Sequence, residues 1–303
     1  MKKFIFKLST YLGLLALLSV VVFVVSLLLV PLDKDYGAYK IYAKKKSLIK
    51  ENGNSRLSVI LGGSSVRFGV DTKILNSSDT EYYNFGMYAG YGIEPYMYVL
   101  RDLKSEVDEI IIMFEDDLYF KSTNVGTFQK FHFLKENKNY FYYDPLALIY
   151  AYDYLWYQSQ LLFNKVRHKE LSTPYYENIV HLTDEYGNLV LDTLDHIPDF
   201  TVYRSRVYNN EKMFDYDLLD FITSLAEEGN VRLKMTFVPI FCDEYEEKSV
   251  RERREFIKSK YNSIDWIEHN SIYTNKMKFF NSRYHLNSNE RRKFSTQFNS
   301  KIK

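Results

Sequence analysis

Cysteine is almost absent: Cys242 is the only one in 303 residues. An intramolecular disulfide is therefore excluded, and so is a metal site built from several thiolates. The missing disulfides leave the compartment open. Cys242 lies in an apolar run, where a thiol is expected to be buried and inert. Charge of one sign is also lacking. Lys and Arg number 40 against 39 Asp and Glu, a formal net charge of +1, which gives no strong positive field of the kind nucleic-acid binding uses. His132, His168, His181, His196 and His269 show no metal-ligand spacing. No nucleic-acid partner, metal or cofactor is expected.

One stretch lacks charge altogether. Between Lys7 and Asp33 there is no charged residue, and the run Leu8 to Leu32 is 25 residues long. A bilayer core needs about 20 apolar helical residues, so this run can span it with some tilt. A cleavable signal peptide competes, but its apolar core is typically ~7–15 residues with a small-residue cleavage site after it. Here the run ends Leu28-Leu29-Val30-Pro31. A buried core helix is the third option. The reading is an uncleaved single-pass anchor whose partner is the lipid bilayer. Lys2, Lys3 and Lys7 precede the span, and Lys34, Lys40 and Lys44 to Lys46 follow it, so charge alone does not orient it.

The expected organisation is a short flank at 1–7, the anchor at 8–32, a juxtamembrane linker at 33–55 that reads as polar helix and linker over 36–55, and one domain over 56–303. Arg56 to Gly63 is a β-branched, apolar run ending in glycines, a buried strand entering a tight turn. Asp71 caps a short helix over Thr72 to Asn76. Tyr82 to Phe85 is a second strand, closed by Gly86. Glu94-Pro95 opens a helix to about Ser105. Val107 to Phe114 is the clearest strand. Later come a helix from Lys212 to Glu228, a strand from Val231 to Phe241, a charged helix from Tyr245 to Asn262, a short strand from Ile264 to His269 and a last helix from Asn287 to Ile302. Strands alternating with helices predict an α/β fold with a mostly parallel sheet, covered on both faces.

Residues 121–210 break that rhythm and read as an aromatic-rich insertion or lid, helical over Pro145 to Lys165. Aromatics reach 17% of the chain, with 28 Tyr and 22 Phe. The run Tyr140 to Tyr143, then Tyr150, Tyr152, Tyr154, Trp156 and Tyr157, suits stacking on sugar rings, placement at a membrane interface, or plain core packing.

In open α/β sheets, chemistry gathers at the carboxyl ends of the strands. Leu61-Gly62-Gly63-Ser64-Ser65 places a serine hydroxyl on a strand-to-helix turn, where it can act as a nucleophile. Asn84-Phe85-Gly86-Met87 ends the next strand with a glycine N–H that could face a developing oxyanion. Phe280-Asn281-Ser282-Arg283-Tyr284-His285 places an imidazole just before the terminal helix.

In order and spacing these segments resemble the SGNH (GDSL-like) esterase and acyltransferase superfamily. The resemblance covers most of residues 56–303 outside the insertion. It implies a flavodoxin-like three-layer sandwich. It also implies Ser64 as nucleophile, His285 as general base, and the N–H groups of Ser64 and Gly86 as oxyanion hole. Two positions depart from the family. Ser282 stands where the family has an Asp three residues before the His, and the third strand ends in Glu115-Asp116-Asp117 where an Asn donor is usual. Ser282 or Glu115 is then the expected orienter of His285. The favoured alternative for the acidic turn is a solvated helix cap.

The resemblance implies a membrane-anchored serine esterase or O-acyltransferase working on a cell-envelope or extracellular polysaccharide. It places the domain outside the cytoplasm, with a glycan as substrate and a membrane acyl-donor protein as partner. The alternative is a catalytically inactive relative that keeps the fold for binding or scaffolding in polysaccharide assembly.

Overall fold

The computed structural model of the chain describes residues 2–29, 38–50, 55–87, 92–120, 183–190 and 211–302. The predicted helix at Pro145 to Lys165 and the aromatic run lie outside these residues. The chain divides into two units, Met1–Gly37 with Thr127–Asn178, and Ala38–Gly126 with Ile179–Lys303.

In the first unit, helix α1 runs over Lys2–Leu29. Its stretch Lys3–Val21, 19 residues, is long and apolar enough to cross a membrane. Exposed apolar side chains surround it on every face, including Phe4, Leu12, Leu15 and Leu18, so no polar face marks it as a surface helix of a globular domain. Two of its hydroxyls are satisfied internally: Thr10 Oγ1 donates to the Phe6 carbonyl at 2.9 Å, and Ser19 Oγ to the Leu15 carbonyl at 2.9 Å. Such back-bonding removes the cost of an unpaired hydroxyl in an apolar medium.

The second unit is α/β. Strands β1 (Arg56–Gly62), β2 (Thr80–Gly86), β3 (Glu109–Met113), β4 (Arg232–Met235) and β6 (Asp265–Trp266) form an all-parallel 5-stranded sheet in the order β2-β1-β3-β4-β6. β3 is buried at every position, Glu109 to Met113, as a central parallel strand covered on both faces must be. The covering helices are α2 (Ala38–Lys50), α3 (Ser64–Gly69), α4 (Ile93–Leu103), α5 (Tyr216–Glu227), α6 (Glu244–Lys260) and α7 (Ser288–Ile302). Asp215 caps α5 by accepting from Leu218 N at 3.2 Å, and Asp243 caps α6 by accepting from Glu246 N at 2.9 Å. On α7, Phe294, Phe298 and Ile302 recur every four residues and join one core cluster with Ile60, Val70, Phe279 and Leu286. Each such buried side chain contributes roughly 1.5–3 kcal/mol.

Two expectations need correction. The expected polar helix of the juxtamembrane segment is α2, but it clusters with the domain and packs on β2 rather than standing apart as a linker. Tyr42, Lys45, Leu48 and Ile49 form its buried stripe. The strand predicted over Val231 to Phe241 is also split. Pairing with β3 ends at Thr236, whose N–H donates to the Ile112 carbonyl at 3.0 Å. Pro239 has no N–H to continue a ladder. The chain then crosses into a small parallel sheet of β5 (Ile240–Phe241) and β7 (Ile272–Tyr273).

Within the predicted insertion, residues 183–190 are described and sit on the domain. The Tyr186 carbonyl accepts from Asn84 N at 2.9 Å. Asn188 Oδ1 accepts from Thr72 N at 2.9 Å and from Thr72 Oγ1 at 3.0 Å.

Candidate functional site

β1 ends against β3 so closely that a Cβ on Gly62 would lie 2.1 Å from the Met113 carbonyl oxygen. Glycine is required there by space. The chain turns through Gly63, and α3 begins at Ser64. As the first residue of a helix, Ser64 has no intrahelical acceptor for its N–H. Four residues on, Phe68 lies on the same face of α3.

The terminal segment meets that face. Phe279 and Leu286 form an antiparallel bridge, and Phe280 N donates to the His285 carbonyl at 2.7 Å. This tight loop folds Asn281 back over the imidazole. His285 Nε2 lies 2.8 Å from Ser64 Oγ, and His285 Nδ1 lies 2.6 Å from Asn281 Oδ1. The Phe68 ring packs on the imidazole at 4.3 Å between centroids, tilted by 31°. The loop is also held from below, because Phe241 N of β5 donates to the Arg283 carbonyl at 2.8 Å. Ser64 and His285 are half-buried and Asn281 is exposed, so the pair is open to solvent.

Residues more than two hundred positions apart in the chain therefore form one hydrogen-bonded line, Ser64–His285–Asn281. An amide oxygen only accepts, so Asn281 Oδ1 keeps the proton on Nδ1 and leaves the Nε2 lone pair facing the serine hydroxyl. That is the tautomer a general base needs. Among the described residues the imidazole has no carboxylate partner, however. Burial lowers the His285 pKa to about 3, and the Arg67 guanidinium lowers it further. The ring is a neutral but weak base.

The expected orienters are elsewhere. Ser282 Oγ accepts from Tyr284 N at 3.3 Å. Glu115 Oε1 accepts from Ser65 N at 3.1 Å, beneath the serine turn. The acidic turn is not solvated either, since Glu115 and Asp116 are buried. Asp116 makes a forked pair with Arg254, whose Nε lies 3.0 Å from Oδ2 and Nη2 2.9 Å from Oδ1.

No protein-family model matches the sequence, and no curated protein is significantly similar to it.

Gly86 plays a different part from the one its position suggests. Its N–H donates to Asn84 Oδ1 at 2.8 Å and is already engaged. Its lack of a side chain matters more: a Cβ there would lie 2.2 Å from Arg67 N of α3. Its carbonyl accepts from Lys45 Nζ at 3.0 Å and from Arg67 Nε at 3.4 Å. Arg67 Nη2 also reaches the Met87 carbonyl at 2.6 Å. Asn84 ties α3 to β2, donating through Nδ2 to the carbonyls of Val66 and Val70, each at 3.0 Å. Lys45 is buried, and desolvation holds its pKa well below the ordinary lysine value, with Arg67 adding to the effect.

Asn281, Phe68, Asn84, Lys45 and Arg67 escape a reading of the sequence. Phe68 alone has a local signal, its four-residue spacing from Ser64. Among the described residues no group of His, Cys, Asp or Glu is arranged to hold a metal ion. Cys242 is buried, and desolvation pushes its thiol up to about 11.

Proposed function

We propose that the protein is a membrane-anchored serine esterase or O-acyltransferase of the SGNH type, acting on a polysaccharide outside the cytoplasm. The observation that carries this reading is the 2.8 Å contact between Ser64 Oγ and His285 Nε2, with Nδ1 tied to Asn281. The strand order β2-β1-β3-β4-β6 supports a flavodoxin-like layering, with Ser64 at the carboxyl end of β1 beside the point where strand order reverses. The length and all-round apolar surface of α1 support a single-pass anchor.

In this reading Ser64 Oγ attacks an ester carbonyl while its proton passes to His285 Nε2. The carbonyl oxygen becomes an oxyanion, which the Ser64 N–H would receive. Collapse breaks the ester C–O bond, and the departing alcohol takes the proton from His285. Water or an acceptor hydroxyl then attacks the acyl-serine, yielding an acid or a new ester and restoring Ser64–OH. A glycan hydroxyl and a membrane acyl-donor protein suit the acceptor and donor roles of an anchored catalyst.

A second reading is an inactive relative that binds glycan or partner proteins. The neutral Asn281 behind His285, in place of a carboxylate, favours it. A fluorophosphonate probe separates the two. The first reading expects labelling of the wild type that is lost in a folded Ser64→Ala variant. Equal labelling of both, or none in either, overturns it.

A further inference from the structure

The carboxyl of Glu115 lies flat against the residue that precedes Ser64. A Cβ on Gly63 would sit 2.2 Å from its Oε1 and 2.3 Å from its Oε2. Oε1 holds the N–H of Ser65, the residue after the nucleophile, at 3.1 Å. Glu115 therefore brackets the serine turn from both sides, at the carboxyl end of β3. It is buried, and its Oε2 has no hydrogen-bond partner among the described residues. No Lys or Arg forms an ion pair with it among those residues.

An ionised carboxylate in that position would leave Oε2 without a donor and have no counter-charge among the described residues. Such a group is costly to bury. It would also set a negative charge under the atom where a negative charge must develop during acyl transfer, opposing the oxyanion. A neutral acid has neither defect and still accepts the Ser65 N–H through its carbonyl oxygen.

We infer that Glu115 is a positioning residue that works as a neutral carboxylic acid, holding the Ser64 turn, and that its ionisation switches the site off. This rests on the nucleophile reading of Ser64. The groups that face Glu115 agree with a neutral form. Burial, the largest effect, raises its pKa; the Ser65 N–H and hydroxyl and its own N–H work against that rise, and Asp117 on the following turn adds to it. The Tyr119 phenol, from the same turn, is itself held neutral by burial.

The test uses the full chain in detergent micelles, as wild type, Glu115→Gln and Glu115→Ala. Infrared difference spectra of wild type against Glu115→Gln read protonation directly, without any reaction at Ser64. The expected result is a protonated-carboxyl C=O band at neutral pH that fades as pH rises; its absence at neutral pH overturns the inference. The rate of fluorophosphonate labelling is then followed against pH. Wild type should lose labelling as Glu115 ionises, Glu115→Gln should keep it, and Glu115→Ala should be slowed roughly 10²-fold at every pH through a misplaced turn. The same alkaline loss in wild type and Glu115→Gln would overturn the switch. If wild type shows the infrared band but takes no label at any pH, the nucleophile reading and the switch fall together, while the neutral acid stands.

Discussion

Asn281 Oδ1 lies 2.6 Å from His285 Nδ1, so the imidazole facing Ser64 is held by a neutral amide. Orientation and charge stabilisation, which a carboxylate supplies together, are separated here. Only the first is present. Asn281→Asp should add the second. The new carboxylate favours imidazolium, so the His285 pKa should rise from about 3 toward the ordinary value. Fluorophosphonate labelling at neutral pH should accelerate, roughly tenfold. Asn281→Leu should slow it by roughly 10–10²-fold rather than the ~10⁴ of a lost triad carboxylate, because Phe68 still restrains the ring.

Ser282→Ala gives the contrasting result. Its hydroxyl accepts from Tyr284 N in a local turn and does not reach the ring. Labelling should stay within about twofold of wild type, and stability within about 0.5 kcal/mol. A loss comparable to that of Asn281→Leu would mean that Ser282, not Asn281, orients the imidazole.

Acid should weaken the fold through two half-buried histidines. Burial lowers His285 to about 3 and His269 to about 4. The His269 ring sits edge-on to Phe294 and Phe298, at 5.0 Å and 5.4 Å between centroids. Below the ordinary His pKa of about 6.5, the unfolded chain binds protons that the folded chain refuses, so stability falls as pH falls. Above that pH neither histidine contributes to the slope. Urea unfolding between pH 7 and pH 4 should show this decline, and His269→Leu should flatten it. An unchanged slope in that variant would remove His269 from the account.

Asp116→Ala should be strongly destabilising, by about 3–5 kcal/mol in urea unfolding, because it leaves the buried Arg254 guanidinium without its forked partner. The remaining contacts of Arg254, from Nη1 to Ser271 Oγ at 2.7 Å and from Nη2 to the Val238 carbonyl at 2.8 Å, carry no compensating charge. A loss below about 1 kcal/mol would show that Arg254 finds solvent.

Gly86→Ala should act on the site more than on the fold. The added methyl would meet the Arg67 backbone nitrogen at 2.2 Å, so α3 must shift, carrying Ser64 away from His285. Labelling should drop roughly 10²-fold while the protein stays folded. A variant with normal labelling would show that α3 tolerates displacement without losing the hydroxyl–imidazole contact.

The sequence alone determined what depends on local pattern. The uncharged run after Lys7 marks a helix of membrane length, and the apolar runs at Arg56 to Gly63 and Val107 to Phe114 mark buried parallel strands. Asp71 and the Asn84-Phe85-Gly86 segment mark element ends, and Ser64 and His285 stand at turns expected on one rim of the sheet. These follow from helical and strand periods and from turn chemistry, which neighbouring residues carry. Tertiary structure decided the rest. Asn281 became the orienter because the Phe279 to Leu286 loop folds it back, and no spacing rule distinguishes it from Ser282. Lys45 and α2 joined the domain because β2 offers them a face. Glu115 was taken from solvent to the underside of the serine turn by the register of β3 against β1. Side-chain partners across strands and loops are set by that packing, and one position of displacement changes which hydrogen bond is made.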